Sequence, residues 1–154
     1  MFNQQTINQH IILSNPAYSA QISLNWFDAE YWRRLEQITG TSKGRYTTYF
    51  IDFTDAQDTS KNMVLRHYYR GGLVRHFSRD KFVYTGLEQT RSFKEIDMLA
   101  KMTELGLPVP VPVAARIKKH NLIWCSNDIL IETIPGARDG FQLLMDAPLN
   151  DSIW

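Results

Sequence analysis

The alternation of apolar and polar positions divides the chain into short extended segments with helical ones set among them. Asn25-Trp26-Phe27-Asp28-Ala29-Glu30-Tyr31-Trp32 opens the first helix: Asp28 is a capping side chain, Glu30 suits the positive end, and Phe27 before the cap can pack on Trp32. Its end is open between two readings, a helix through Leu35 and Ile38 closed by Gly40, or a short strand over the same residues. Residues 46–53 and 62–69 are rich in β-branched and aromatic side chains and predict strands. The polar residues 55–60 read as a turn, Gly71-Gly72 as a reversal into 73–77, and residues 82–85 as a further strand stopped at Gly86. Strands joined by short loops predict an antiparallel meander.

The helix expected over residues 90–105 is the most informative element. At 3.6 residues per turn Lys94, Asp97, Lys101 and Glu104 share a solvent face, while Ile96, Met98, Leu99, Met102 and Leu105 form the opposite side. Glu95 falls in the middle of that apolar side, with Arg91 beside it. A carboxylate aimed at a core needs a cation, because an unpaired buried charge costs several kcal/mol. Either a basic side chain on the facing sheet supplies it, or Glu95 turns to the helix edge and pairs with Arg91. Gly106 ends this helix, and the prolines at 108, 110 and 112 force an extended run through Val113. Strands are expected over 114–118, 121–125 and 128–134, with a turn at Lys119-His120, and residues 140–145 are a candidate short helix.

Composition narrows the class. The chain has 154 residues, 44% hydrophobic and 21% charged, with a net charge of +1, which describes one ordinary globular domain with a core. The single cysteine, Cys125, excludes an internal disulfide. The start has no basic region, and the apolar run at 11–13 is too short for a signal peptide or a span, so a cytoplasmic location is expected. The charge is uneven: residues 61–101 hold nine basic and four acidic side chains, whereas each flanking part is net negative. Such a block is a solvated face or the contact for an anionic partner.

Several catalytic patterns are absent, among them CxxC, HExxH, Gly-x-Ser-x-Gly and GxxxxGK[ST]. His10, His67, His76 and His120 lack metal-ligand spacing. What remains, in order, is a glycine-bearing turn (Gly40, Gly44, Arg45), a strand carrying Val64 and Arg66 on one face, and a helix carrying Glu95.

The strings Val64-Leu65-Arg66-His67-Tyr68-Tyr69-Arg70-Gly71-Gly72-Leu73, Tyr84-Thr85-Gly86-Leu87-Glu88-Gln89-Thr90-Arg91, Gly106-Leu107-Pro108-Val109-Pro110, Pro112-Val113-Ala114-Ala115 and Glu132-Thr133-Ile134-Pro135-Gly136-Ala137-Arg138 follow one another in the chain. Together they resemble the Kdo (3-deoxy-D-manno-octulosonic acid) kinases of the lipopolysaccharide-kinase group, within the protein-kinase-like superfamily. The likeness runs from about Trp26 to the last residue. It implies an α+β fold: a protein-kinase-like N-terminal lobe with a twisted antiparallel sheet of about five or more strands, one packed helix, and the first helices of a C-terminal lobe. It divides the chain into an N-terminal extension (1–27), the lobe with its hinge (28–138) and the start of the second lobe (139–154).

The activity implied is ATP-dependent, Mg2+-assisted phosphorylation of the 4-hydroxyl of Kdo on a lipid A precursor. The place implied is the cytoplasmic face of the inner membrane, against an anionic membrane surface and without nucleic acid. By this resemblance Gly40, Gly44 and Arg45 stand in the glycine-rich loop, although the spacing is GxxxG and Tyr46 stands where another glycine is expected. Arg66 takes the place of the kinase strand lysine and keeps its charge with a bulkier, forked head. Val64 packs on adenine, Glu95 holds Arg66, and Glu132 and Ile134 belong to the hinge, whose contacts are main-chain, with Ile131 behind the adenine.

No His-x-Asp with a following asparagine occurs, so the base and metal ligands of such a kinase are not supplied by these residues. The chain looks like a truncated kinase and is expected to bind nucleotide poorly and to be inactive alone. Two other classes stay open. One is a non-catalytic module binding an anionic glycolipid or nucleic acid through Arg66, Arg70, Arg75, Arg79, Lys81, Tyr68, Tyr69 and Phe77. The other is a remnant with no ligand.

Overall fold

The computed structural model describes residues 2–43, 47–54, 59–69 and 80–134. Of the expected turn at 55–60, residues 55–58 lie outside them and Ser60 already belongs to a strand; the Gly71-Gly72 reversal, the strand at 73–77 and the helix at 140–145 also lie outside, as do Gly44 and Arg45. The described chain runs β1 (Asn3–Ile7), β2 (His10–Ser14), α1 (Ala29–Arg34), β3 (Ile38–Lys43), β4 (Thr47–Thr54), β5 (Ser60–His67), β6 (Phe82–Val83), α2 (Arg91–Glu104), β7 (Pro112–Lys119) and β8 (Trp124–Glu132). Every pairing is antiparallel, in the order β1-β2-β7-β8-β5-β4-β3, with β6 added to β8. The molecule is therefore an α+β fold consistent with a kinase-like N-terminal lobe. No helix among the described residues is long and apolar enough to cross a membrane.

Alternation along the central strands builds a core on each face of the sheet. On one face Ile12, Met63, Leu65 and Leu130 meet Trp26, Phe27 and Trp32. On the other, Leu13, Ala115 and Ile129 receive Ile96 and Leu99 of α2. Asp28 caps α1 as its side chain predicts, accepting from the Glu30 amide at 3.0 Å. The helix stops after Arg34, and Glu36 turns the chain with a positive φ of 56°. Residues 38–40 then pair with β4, so Gly40 lies in a strand and does not close a helix.

Three other expectations change. Met98 and Leu105 are exposed, and the buried line of α2 is Ser92, Ile96 and Leu99. The helix is rotated toward Ser92 because the Ser92 hydroxyl donates to the buried Asn127 amide oxygen at 3.0 Å. Glu95 consequently flanks the buried line, about 60° from Ser92, and is not at its centre.

Residues 121–123 form a turn, and one long strand, β8, replaces the two expected over 121–125 and 128–134. The Asn121 side chain accepts from the amides of Ile123 and Trp124, which ends pairing there. The polar pair Ser126-Asn127 reads as a break before Asp128, yet each of the three side chains has a partner: His120, Ser92 and Arg116 respectively. Gly106 does end α2, at φ 71°: its amide bonds to Thr103 and that of Leu107 to Met102, which is a Schellman closure.

Candidate functional site

The candidate site lies on the face of the sheet that carries α2, and it is assembled by cross-strand register. Gly40, Phe50, Val64 and Ile131 occupy one row across β3, β4, β5 and β8. Thr48, Arg66 and Ile129 form the next row, about 7 Å along. The first row is apolar and open at the β3 side: a Cβ at Gly40 would meet the Phe50 ring at 3.5 Å. The second row carries a charge.

Arg66 forms an ion pair with Glu95 through Nη2, and Tyr68 donates its hydroxyl to the other oxygen of the same carboxylate. The Arg66 guanidinium also lies 5.4 Å from the centre of the Tyr68 ring. Burial works against charge on Arg66, but the fields of Glu95 and Tyr68 outweigh it and hold the guanidinium above its ordinary value. Burial, joined by the bond to Glu95, pushes the Tyr68 hydroxyl upward, so it stays a donor. The Arg66 Nε is buried, with no hydrogen-bond partner among the described residues. The basic partner demanded by Glu95 is thus on the facing sheet, and Arg91 lies instead over the Phe82 ring, 5.1 Å from its centre.

The end of β8 closes the apolar row. The amides of Glu132 and Thr133 bond to the carbonyls of Val111 and Asn62, each at 2.8 Å. The Glu132 side chain accepts from the Tyr18 hydroxyl at 2.5 Å and lies 3.8 Å from the Lys61 ammonium, on the face away from α2. The amide of Ile134 has no partner among the described residues. Of the residues proposed from sequence, the structure brings together Gly40, Val64, Arg66, Glu95 and Ile131. It places Glu132 and Ile134 at the rim.

Sequence reasoning missed Tyr68 as a ligand of Glu95, and Phe50 beside Val64. Strand alternation offers the signal for the first: Tyr68 is two residues from Arg66 and points to the same side. Glu95 and Tyr68 hold the Arg66 guanidinium beside an apolar shelf, an arrangement that can meet a ligand with a flat apolar part and an anionic part.

The chain as a whole is similar to known proteins. A family model described as lipopolysaccharide kinase (Kdo/WaaP) matches residues 29–147. The chain belongs to the lipopolysaccharide kinase (Kdo/WaaP) family. It is 42% identical over 134 residues to a 3-deoxy-D-manno-octulosonic acid kinase of Actinobacillus succinogenes, covering 87% of this chain and 55% of that protein. With one from Haemophilus influenzae the identity is 41% over 155 residues, 100% of this chain and 63% of the relative. With that of Vibrio cholerae it is 37% over 125 residues, 81% and 51% respectively. The chain thus spans between about half and just under two thirds of the length of these relatives. No solved structure matches.

Two further features of this family member lie away from the ion pair. A cavity of about 550 Å³ between α2 and the β1–β2 hairpin is lined by Phe2, Phe93, Ile96, Ala100, Val111 and Pro112 among others, and by neither Arg66 nor Glu95. On the opposite face of the sheet the buried Asp128 binds Arg116 Nε at 2.8 Å through one oxygen and His67 Nδ1 at 2.6 Å through the other. Among the described residues no three His, Cys, Asp or Glu side chains converge to hold a metal ion.

Proposed function

We propose that this chain supplies the nucleotide-holding half of a Kdo kinase, which transfers the γ-phosphate of ATP to the 4-hydroxyl of Kdo on a lipid A precursor at the cytoplasmic face of the inner membrane. The observation that carries the reading is the Arg66–Glu95 ion pair beside the Gly40–Phe50–Val64–Ile131 row. In such a site the adenine rests against Val64, Phe50 and Ile131. The Glu132 carbonyl and the Ile134 amide face its edge, and Arg66 meets the phosphates. Arginine has five N–H donors, so donors of Arg66 remain beyond the one aimed at Glu95. Gly44 and Arg45 are proposed as further phosphate contacts on sequence grounds.

Phosphoryl transfer relies on position and charge neutralisation, and these residues provide the positioning of the donor. Magnesium, when bound with ATP, would supply the remaining neutralisation through ligands other than the described residues. By itself this 154-residue chain would bind nucleotide weakly and transfer no phosphate. Kdo phosphorylation is the activity named for its relatives, and family membership carries it here as a proposal.

Arg66→Ala tests the assignment. Calorimetry with ATP should show at least about a tenfold loss of affinity, the scale of a charge-assisted contact. Equal affinity in the wild type and the variant would remove Arg66 from the site.

A further inference from the structure

The turn between β7 and β8 holds apolar side chains away from any core. Leu122 is 92% exposed and Ile123 58%, and Val83, paired across β6 with Trp124, is 49% exposed. This tip cannot fold back to bury them. The Asn121 side chain accepts from both following amides, at 2.9 and 2.8 Å, the Trp124 carbonyl takes the His120 amide at 2.8 Å, and Tyr84 bonds to the Ile123 carbonyl at 2.7 Å. Around the tip stand Lys81, Lys118, Lys119 and His120, with Asp80 as the acidic neighbour. Lys119 lies over the Tyr84 ring at 4.3 Å, so its stem follows the apolar surface while its ammonium stays in water. His120 is harder to protonate than an ordinary histidine, through burial first and then through Lys118 and Lys81, and His10 likewise through burial, Arg116 and Lys118. The end of the hairpin is therefore positively charged.

We propose that this tip is a wedge that docks on the surface of an anionic lipid bilayer, Leu122 and Ile123 entering the acyl boundary while Lys81, Lys118 and Lys119 lie among the headgroups. The observations favour a bilayer over a protein. The apolar residues stand on a convex turn and not on a flat patch, the surround is lysine, which protein interfaces deplete, and Trp124 and Tyr84 are the aromatic types that settle at membrane–water boundaries. Each lysine near an anionic surface adds attraction that salt weakens.

The test is co-sedimentation of the full chain with vesicles of phosphatidylcholine alone or mixed with phosphatidylglycerol, without nucleotide or glycolipid. Its failure would leave the kinase reading standing, and failure of the Arg66 test would leave the wedge standing. The wild type should partition onto the anionic vesicles and less so as salt rises. Leu122→Asp with Ile123→Asp should lower partitioning by about tenfold or more at an unchanged melting temperature, since both side chains project into solvent. Lys81→Ala with Lys118→Ala should remove the preference for anionic over neutral vesicles. Equal partitioning of the aspartate variant and the wild type would overturn the proposal, as would no binding of the wild type at low salt. Loss of self-association in the aspartate variant, with vesicle binding unaltered, would assign the tip to a protein contact and also overturn it.

Discussion

Glu95 holds two side chains at once, the guanidinium of Arg66 on one carboxylate oxygen and the hydroxyl of Tyr68 on the other. Tyr68→Phe keeps the ring and removes one tether. A hydrogen bond to a charged group is worth about 1.5–3 kcal/mol net, so stability in urea should fall by about that or somewhat less at this half-buried site. ATP affinity should fall with it, because Glu95 is then free to turn from Arg66; calorimetry on the folded variant reads this.

His67 makes a different statement. Burial opposes its charge, but the hydrogen bond to Asp128 and the fields of Asp128 and Asp80 exceed burial and the opposing field of Arg116, raising its pKa above 6.5. The Tyr69 ring, 4.8 Å away, completes its surroundings. A raised folded pKa stabilises the protein fully below about pH 6.5, and that contribution is lost as pH rises through the folded value. His10 and His120, shifted downward, act with the opposite sign. The difference in melting temperature between wild type and His67→Gln should therefore be larger at pH 6 than at pH 9, and an equal difference would sink the assignment. The Arg66–Glu95 pair was half legible in the sequence: the helix period asked for a basic partner but left Arg91 and the facing sheet open, and only the family resemblance named Arg66. The Asp128 cluster was not, since its members come from four segments and share no local pattern.

At the scale of elements, α2 shows how far periodicity reaches. Its extent and its end at Gly106 follow from the sequence, but its rotation does not, because the apolar Met98 and Leu105 are outvoted by Ser92 on Asn127. Only the partner strand makes a serine the anchor of a buried face. Gly106→Ala isolates the closing turn: a Cβ there meets nothing within 4 Å, so the whole cost is the left-handed backbone at φ 71°. A loss of about 1–2 kcal/mol in urea unfolding is expected, with ATP affinity unchanged. β8 illustrates the converse limit, since Ser126-Asn127 looks like a break until each polar side chain meets its partner, His120 and Ser92.

The whole molecule places β2 between β1 and β7, with Ile12 in the core of one face and Leu13 in the core of the other. Residues set apart as an N-terminal extension on sequence thus pair with the strand that follows α2 about a hundred residues later. Ile12→Ala should cost about 2–5 kcal/mol, a large part of a total near 5–15 kcal/mol, and a fall of several degrees or more in melting temperature checks it. A shift under two degrees would show that β2 is not part of the cooperative unit. By itself the sequence determined most strand and helix types, the stop at Gly106, the family and the need of Glu95 for a basic partner. All of these rest on local periods and ordered strings. The tertiary structure alone decided the strand order, the rotation of α2, the two hydrogen-bonded oxygens of Glu95 and the exposure of Leu122. Those depend on which distant backbone satisfies each amide and which face finds a neighbour, and contacts made across the sheet leave no period along the chain.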